Sequence, residues 1–434
     1  MAARARRLAD RVAASRHSQV HRSSYALILT TVTNAALGLL FWVAAARLYP
    51  TEVVGLGAGG ISALQLAATI GWVGLIFTLM RYVPIAGTGR RRLIASVYLI
   101  GGGAAVAVAV AFTVALASRL NVPYLSESVA SGVAFCACVA VWAIFTLQDS
   151  ALISLRRAGV VAGENVLYGA LKLVLLIALS AFAHPWTLLG VWAGAALVFV
   201  VAVSGFLLFR DPRVRAPAEP AEPTSRRAIA RFSSGHTAAA LMAIVPDYLV
   251  PLLVLHYLDP AANAYYYSAW SVSLSARALS VNVTDALMVE AAYGQETFAA
   301  LLGKVGRLFA VVLIPTVLVV VAAAEPVLRI FGSAYAGEGA AALRYFGLSL
   351  VPFTVVTLAL ALDRIRQRFA NALLITSTGT LATIALDVLL IPRHGIAGAG
   401  LGWLAGQALA ALIAAHSLWR ELGARTPGAG HVVR

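Results

Sequence analysis

Charge is what this chain has least of. Only 12% of its 434 residues are Asp, Glu, Lys or Arg, while 61% are hydrophobic and mean hydropathy is +0.86. Soluble domains run at roughly 25% charged and 45–50% apolar, so too few polar residues are present to coat the two or three domains a soluble chain of this length needs. Cysteine is almost missing. Cys136 and Cys138 stand two apart in one apolar run, point to different faces of a helix and cannot bridge each other. They are read as apolar filler. Long polar loops are missing too. The longest on the less basic side, about 324–340, holds only Glu325, Arg329 and Glu338, too little to fold into a catalytic domain. No Gly-rich phosphate loop, no His-Glu-x-x-His and no Ser/His/Asp frame is found. No catalytic residue, metal site or cofactor is therefore assigned, and the chain is not read as an enzyme. Gly55, Gly57, Gly59 and Gly60 echo a dinucleotide fingerprint, but they open an apolar run with no strand before it, so helix packing is the expectation.

What the chain has in abundance is long apolar runs. A helix crossing about 30 Å of hydrocarbon needs roughly 20 residues, and twelve segments qualify: 25–46, 55–79, 93–117, 128–149, 160–182, 186–209, 235–257, 263–289, 305–324, 341–362, 370–391 and 396–419. The alternating short segments of a membrane barrel are missing. Residues 1–24 are too basic for a secretory signal and no small-residue cleavage site follows. Basic residues are lopsided. One side of the spans receives 26 of the 33 Lys and Arg, among them Arg4–Arg22, Arg90–Arg92, Arg156, Arg157 and the 210–231 stretch. The other side receives Arg47, Arg119, Arg329, Arg344 and Arg393. The positive-inside rule then places both termini in the cytoplasm. The net charge of +15 is explained by topology and contact with anionic lipid, with no nucleic-acid partner. The N-terminal stretch reads either as a basic amphipathic helix on the inner leaflet or as a solvated tail.

The chain is also written twice. Arg47-Leu48-Tyr49-Pro50 separates two runs as Leu258-Asp259-Pro260 does 210 residues later, and Leu155-Arg156-Arg157 is answered by Arg366-Gln367-Arg368 at an offset of 211. Gly190 and Gly194 are echoed by Gly398, Gly402 and Gly406, and both sets are expected to be close-packing seams. Pro212, Pro217, Pro220 and Pro223 mark a linker between six spans and six. Six is even, so the repeats are parallel. The expected fold is all-α and integral to the membrane: twelve helices in two parallel six-helix lobes around a central cavity. Its parts are a basic segment 1–24, an N-lobe 25–209, a linker 210–234, a C-lobe 235–419 and a tail 420–434.

Ionisable groups inside spans are costly in lipid and are the functional candidates. Arg277 leads. It lies about ten residues past Tyr265-Tyr266-Tyr267, expected as an outer aromatic belt, so it falls near mid-membrane. Ser273 and Ser280 share its helical face, and Asp285 is two turns on. Asp247 stands between Pro246 and Tyr248, with Pro251 following, where the prolines free backbone carbonyls. It is read as a group that takes a proton or cation, that pairs with Arg277, or that is structural at a kink. For Arg277 the alternative is a pairing that only holds helices together. Lys172 is a candidate facing a cavity. Glu164 lies near the cytoplasmic end, where solvation is cheap, and Asp149 and Asp387 are read as interfacial. Asn34 and Gln65 either line a cavity or bond across helices.

Phe41-Trp42-Val43-Ala44-Ala45-Ala46-Arg47-Leu48-Tyr49-Pro50 with Glu52 and Gly55, Arg81-Tyr82-Val83-Pro84, and Leu155-Arg156-Arg157-Ala158 resemble the polysaccharide flippase branch of the multidrug/oligosaccharidyl-lipid/polysaccharide (MOP) exporter superfamily. The resemblance runs over nearly the whole chain. It implies a bacterial cytoplasmic-membrane flippase that moves a polyprenyl-pyrophosphate-linked oligosaccharide to the outer leaflet by alternating access. It further implies a cavity lined by spans one, two, seven and eight, where Arg277, Asp285 and Asp247 fall. Membrane lipids and the lipid-linked glycan are the implied partners, with glycan-assembly enzymes as candidates. Drug exporters of the superfamily often carry a carboxylate in the first span, and here that span has Asn34. Lipid II flippases have extra spans and several cavity arginines, and here there is one central Arg. A cation-coupled exporter of small amphiphiles, a membrane glycan polymerase or ligase, and a non-transporting scaffold are the competing readings.

Overall fold

A computed structural model describes residues 32–215, 226–293 and 298–423. Within them the chain is helical, in the order the apolar runs set. The helices are α1 (Val32–Leu48), α2 (Thr51–Tyr82), α3 (Arg90–Ala115), α4 (Val129–Ser154) and α5 (Ala158–Ala178). α6 (Pro185–Phe209) includes a π turn at Val200–Ser204. α7 (Arg226–Tyr257), α8 (Pro260–Tyr293), α9 (Phe298–Ala322), α10 (Ser333–Ile365) and α11 (Phe369–Gly423) are the remaining long helices. Eight of the described helices are long and apolar enough to cross a membrane, so this is a multi-pass membrane protein. α8 is not among the eight. The runs expected at 370–391 and 396–419 are two helices, labelled together as α11, separated by a kink at Gly395, whose φ of 58° and ψ of −145° are not helical.

The basic residues 1–24 and the tail beyond 423 lie outside the described residues, as do linker residues 216–225. Helix begins again at Arg226, nine residues ahead of the expected start of the seventh span. Pro246 and Pro251 sit within α7, which runs on through both to Tyr257.

The internal repeat is legible in the backbone. Positive φ occurs at Arg156 (59°) and at Gln367 (54°), 211 residues apart. Non-glycine residues hold such angles at a cost, so matching outliers mark the same turn built twice. Arg156 and Gln367 close the α4–α5 and α10–α11 connections. The two connections are thus built alike at the repeat offset.

In the first half α2 is central, packed on α3, α4 and α6; in the second α10 and α11 pack together, with α11 on α7 and α10 on α8. The halves meet where α2 packs against α7 and α8. Gly55 makes this approach possible. The Asn263 side chain donates to its carbonyl at 2.7 Å, and a Cβ at Gly55 would fall 1.6 Å from the Pro260 carbonyl oxygen. The glycine cluster at 55–60 is thus packing, as expected. The expected seams divide. Gly402 and Gly406 face Asp387 and Thr383 closely, whereas a Cβ at Gly190 or Gly194 would meet nothing within 4 Å, so the first seam is not a close contact. Cys136 and Cys138 are free and half-buried, packed on the main apolar core.

At the end of the molecule away from the arginine-rich turns, several bonds tie the halves together. The Arg47 guanidinium donates to the carbonyls of Ile330 (2.8 Å) and Arg329 (3.0 Å). Asn121 donates to the Leu255 carbonyl at 3.0 Å. At the basic end, Arg157 pairs with Asp211 at 2.6 Å and Arg213 caps the Leu155 carbonyl at 2.7 Å, both within the first half.

Candidate functional site

The site begins with the face of α8. Trp270, Ser273, Arg277, Ser280 and Thr284 recur at helical spacing and all five are buried. α8 is rich in Ala and Ser and has no proline inside it, so the polar stripe is carried on unbroken helix. Arg277 is 7% exposed. Its guanidinium meets the Asp247 carboxylate of α7 at 3.3 Å and lies over three aromatic rings: Phe353 at 4.5 Å, Trp403 at 4.8 Å and Trp270 at 5.0 Å. Nε of Arg277 has no hydrogen-bond partner among the described residues. The carboxylate contact is longer than the 2.7–2.9 Å of a strong charge-assisted bond, and the ring faces supply the remainder of the cation's surroundings. The pair belongs to α7 and α8, the two helices on which α2 of the first half packs.

Of the residues singled out in the sequence, Arg277, Asp247, Ser273 and Ser280 come together on these two helices. The side chain of Asp285 lies outside the described residues. Gln65 is buried in α2 and, with Ser62, lies against the Tyr267 hydroxyl. Tyr267 also meets Trp42 of α1 at 4.4 Å between ring centres. Tyr266 and Tyr267 are therefore interior residues, and the expected belt reduces to Tyr265. They stand at the junction of the halves, where ring area is buried against protein. Asn34 is half-buried on α1, with its side-chain oxygen buried and without a hydrogen-bond partner.

Lys172 is elsewhere. It is 5% exposed and enclosed in the first half by Trp192 at 3.6 Å, Phe41 at 4.7 Å and Tyr168 at 5.0 Å. Trp192 and Trp403 are 211 residues apart, the repeat offset, and each holds a cation against its ring. That offset between the two tryptophans was present in the sequence; the cations themselves do not share it, since the offset from Lys172 leads to Thr383.

Asp387 departs from its reading as interfacial. It is fully buried, and neither carboxylate oxygen has a hydrogen-bond partner. α11 folds back at Gly395 and lays Gly402 over it, where a Cβ would fall 2.0 Å from Oδ1. Glu164 is likewise buried, not solvated near the helix end. Among the described residues no cluster of three or more His, Cys, Asp or Glu is placed to hold a metal.

No protein-family model matches the chain, and no curated protein matches it by sequence. Solved structures do. A lipid II flippase MurJ in an inward closed conformation superposes with TM-score 0.72 at 12% identity, over 90% of this chain and 87% of that one. An inward-facing multidrug resistance MATE family transporter of the MOP superfamily gives 0.67 at 17%, over 91% and 96%. A MOP superfamily transporter from Pyrococcus furiosus, described as having a binding pocket of reverse polarity, gives 0.59 at 15%, over 92% and 95%. The chain has the fold these exporters share.

Proposed function

We propose that this chain is a transporter that flips a polyprenyl-pyrophosphate-linked oligosaccharide, a cell-surface polysaccharide precursor, from the inner to the outer leaflet by alternating access. The observation that carries the reading is the buried Arg277, held by one long contact to Asp247 on the helices that join the halves. A guanidinium keeps its charge at every physiological pH and presents parallel N–H groups that match phosphate oxygens. A pyrophosphate brings more negative charge than Asp247 and more acceptors, so it displaces the carboxylate and takes the unspent N–H groups. Asp247 is then free to carry a proton or move with α7. Because α2 rests on α7 and α8, a changed pairing there alters how the halves meet.

The rest of the molecule fits this cycle. The arginine-rich end faces the cytoplasm by the positive-inside rule, where lipid-linked precursors are made and glycan-assembly enzymes work. The opposite end is closed by Arg47, Asn121 and Asn263 bonding across the halves, and release requires those bonds to open. Lys172, Asn34, Gln65, Ser273, Ser280 and Asp285 complete the proposed cavity set. Membrane lipid is the solvent and the source of substrate, nucleic acid has no part, and no catalytic step is assigned. The likeness to a lipid II flippase supports a lipid-linked substrate. A second reading, an exporter of small amphiphiles coupled to a cation, is supported by the likeness to a multidrug resistance transporter. Asn34 in place of a first-span carboxylate counts against it.

The test is export in cells. Arg277→Ala is expected to abolish delivery of the glycan to the cell surface while the protein inserts at wild-type level, and to leave resistance to cationic dyes unchanged. Wild-type glycan export by that variant sinks the assignment.

A further inference from the structure

The end of the molecule away from the arginine-rich turns is latched twice, and the second latch repeats the first. Arg47, the residue before the last of α1, donates from Nε to the Ile330 carbonyl at 2.8 Å. His256, the residue before the last of α7, meets the Arg119 carbonyl through Nδ1 at 2.6 Å. The accepting residues Arg119 and Ile330 stand 211 apart, the repeat offset, and Arg47 and His256 stand 209 apart. Each contact joins one half to the other. The second is reinforced by Asn121, which donates to the carbonyls of Leu255 (3.0 Å) and His256 (3.3 Å), in the last turn of α7, where a helix leaves its carbonyls without partners. Arg47, Arg119 and His256 are exposed, so both latches meet the medium.

The two latches differ in the group that donates. A carbonyl oxygen only accepts, so the Arg119 contact requires a proton on Nδ1 of His256. A guanidinium always offers its N–H groups, whereas an imidazole offers Nδ1–H as the imidazolium or as one of its two neutral tautomers. In the other tautomer two acceptors would face each other. The imidazolium bond is charge-assisted and roughly twice as strong as the neutral one, and histidine is the side chain whose charge changes across the physiological range. Protonation therefore strengthens the closed end: the added closure is present in acid and is lost as pH rises. The ionisable groups on the elements that meet here are Arg119 on the α3–α4 connection, Asp259 on the α7–α8 turn, Glu52 in the first turn of α2 and Tyr257, whose ring lies edge-on to the imidazole at 4.7 Å. Asp259 accepts from the Ala262 N–H at 2.8 Å, and neither acid forms an ion pair with the imidazole among the described residues.

We propose that His256 is a proton-operated latch: protonated, it holds the halves together at this end, and deprotonated, it lets them part. The latch rests on the alternating access proposed above but not on what is carried, and its test uses no substrate, so its failure leaves the flippase reading standing. Spin labels are placed at Leu116 of the first half and Ile330 of the second, both exposed, in the purified full-length protein with Cys136→Ala and Cys138→Ala. Distances are measured in lipid nanodiscs at about pH 8 and about pH 5.5, either side of the range in which histidine changes charge. The ratio of short to long distances should rise roughly fivefold at the lower pH, in the wild type and in Arg47→Ala, whose missing latch carries no titrating group. His256→Asn, whose amide nitrogen takes the place of Nδ1 as a donor and does not titrate, should hold one ratio at both pH values. His256→Phe should hold one ratio too, shifted towards the long distance. Distances indifferent to pH in both the wild type and Arg47→Ala, a pH response that survives His256→Asn, or closure that strengthens as pH rises overturns the proposal.

Discussion

A guanidinium in the middle of a 34-residue helix must be surrounded by something other than water, and Arg277 is surrounded by one carboxylate and three ring faces. Removing the carboxylate leaves a buried charge uncompensated, which typically costs about 3–5 kcal/mol. Asp247→Ala is therefore expected to lower the unfolding temperature measurably in a detergent melt, while Arg277→Ala combined with Asp247→Ala recovers much of the loss. Lys172 is the contrasting case. It has ring contacts from Phe41, Tyr168 and Trp192 and no salt bridge among the described residues. Contacts of this kind reach about 2 kcal/mol when desolvated, against a burial penalty of several kcal/mol for an ammonium. Lys172→Met, which keeps the length and the ring packing, is expected to melt at or above the wild-type temperature; a clear fall would mean that the rings outweigh the desolvation. Arg277 could be read from sequence because a charge inside an apolar run stands out. Asp387 could not, because its sequence neighbours suggest a helix end, and only the fold-back at Gly395 shows that Gly402 seals it from water.

The helices were legible because lipid leaves little choice. Every backbone polar group must be bonded within the segment, so a span needs about twenty apolar residues in a row, and the runs in this sequence fall on the helices. What sequence did not reveal is which face of each helix meets another. Gly55 and Gly190 look alike as glycines opening an apolar run, yet one lets α2 touch the Pro260 carbonyl and the other faces open space. Gly55→Ala is expected to cost about 1–3 kcal/mol through forced separation of the backbones. Gly190→Ala is expected to gain up to about 1 kcal/mol from helix propensity. Parallel melts of the two variants check both. The turns at Arg156 and Gln367 make a further pair. Each holds a non-glycine residue at positive φ, so Arg156→Gly and Gln367→Gly should each stabilise the protein by about 1 kcal/mol. Equal gains at the two sites would be the energetic counterpart of the repeat.

At the scale of the whole molecule, the duplication supplies two halves and the junction decides how they move. The halves share turn geometry and repeat-equivalent tryptophans, but differ in the cation each holds: Lys172 from α5 in one, Arg277 from α8 in the other. Only the second lies on a helix that touches the opposite half. Arg47 reaches across to the Ile330 and Arg329 carbonyls, so Arg47→Ala should shift the population towards a state open at that end. Spin labels at Leu116 and Ile330, both exposed, should report a longer distance in that variant. The central claim, that Arg277 holds the pyrophosphate during passage between leaflets, is tested most directly in proteoliposomes. The purified protein is reconstituted with a fluorescent polyprenyl-pyrophosphate oligosaccharide, and the fraction of probe accessible to an external quencher is followed over time. Wild-type protein is expected to bring the probe to exchange between leaflets, and Arg277→Ala, inserted to the same level, to leave it where it was loaded. Equal rates for the two proteins would contradict the account.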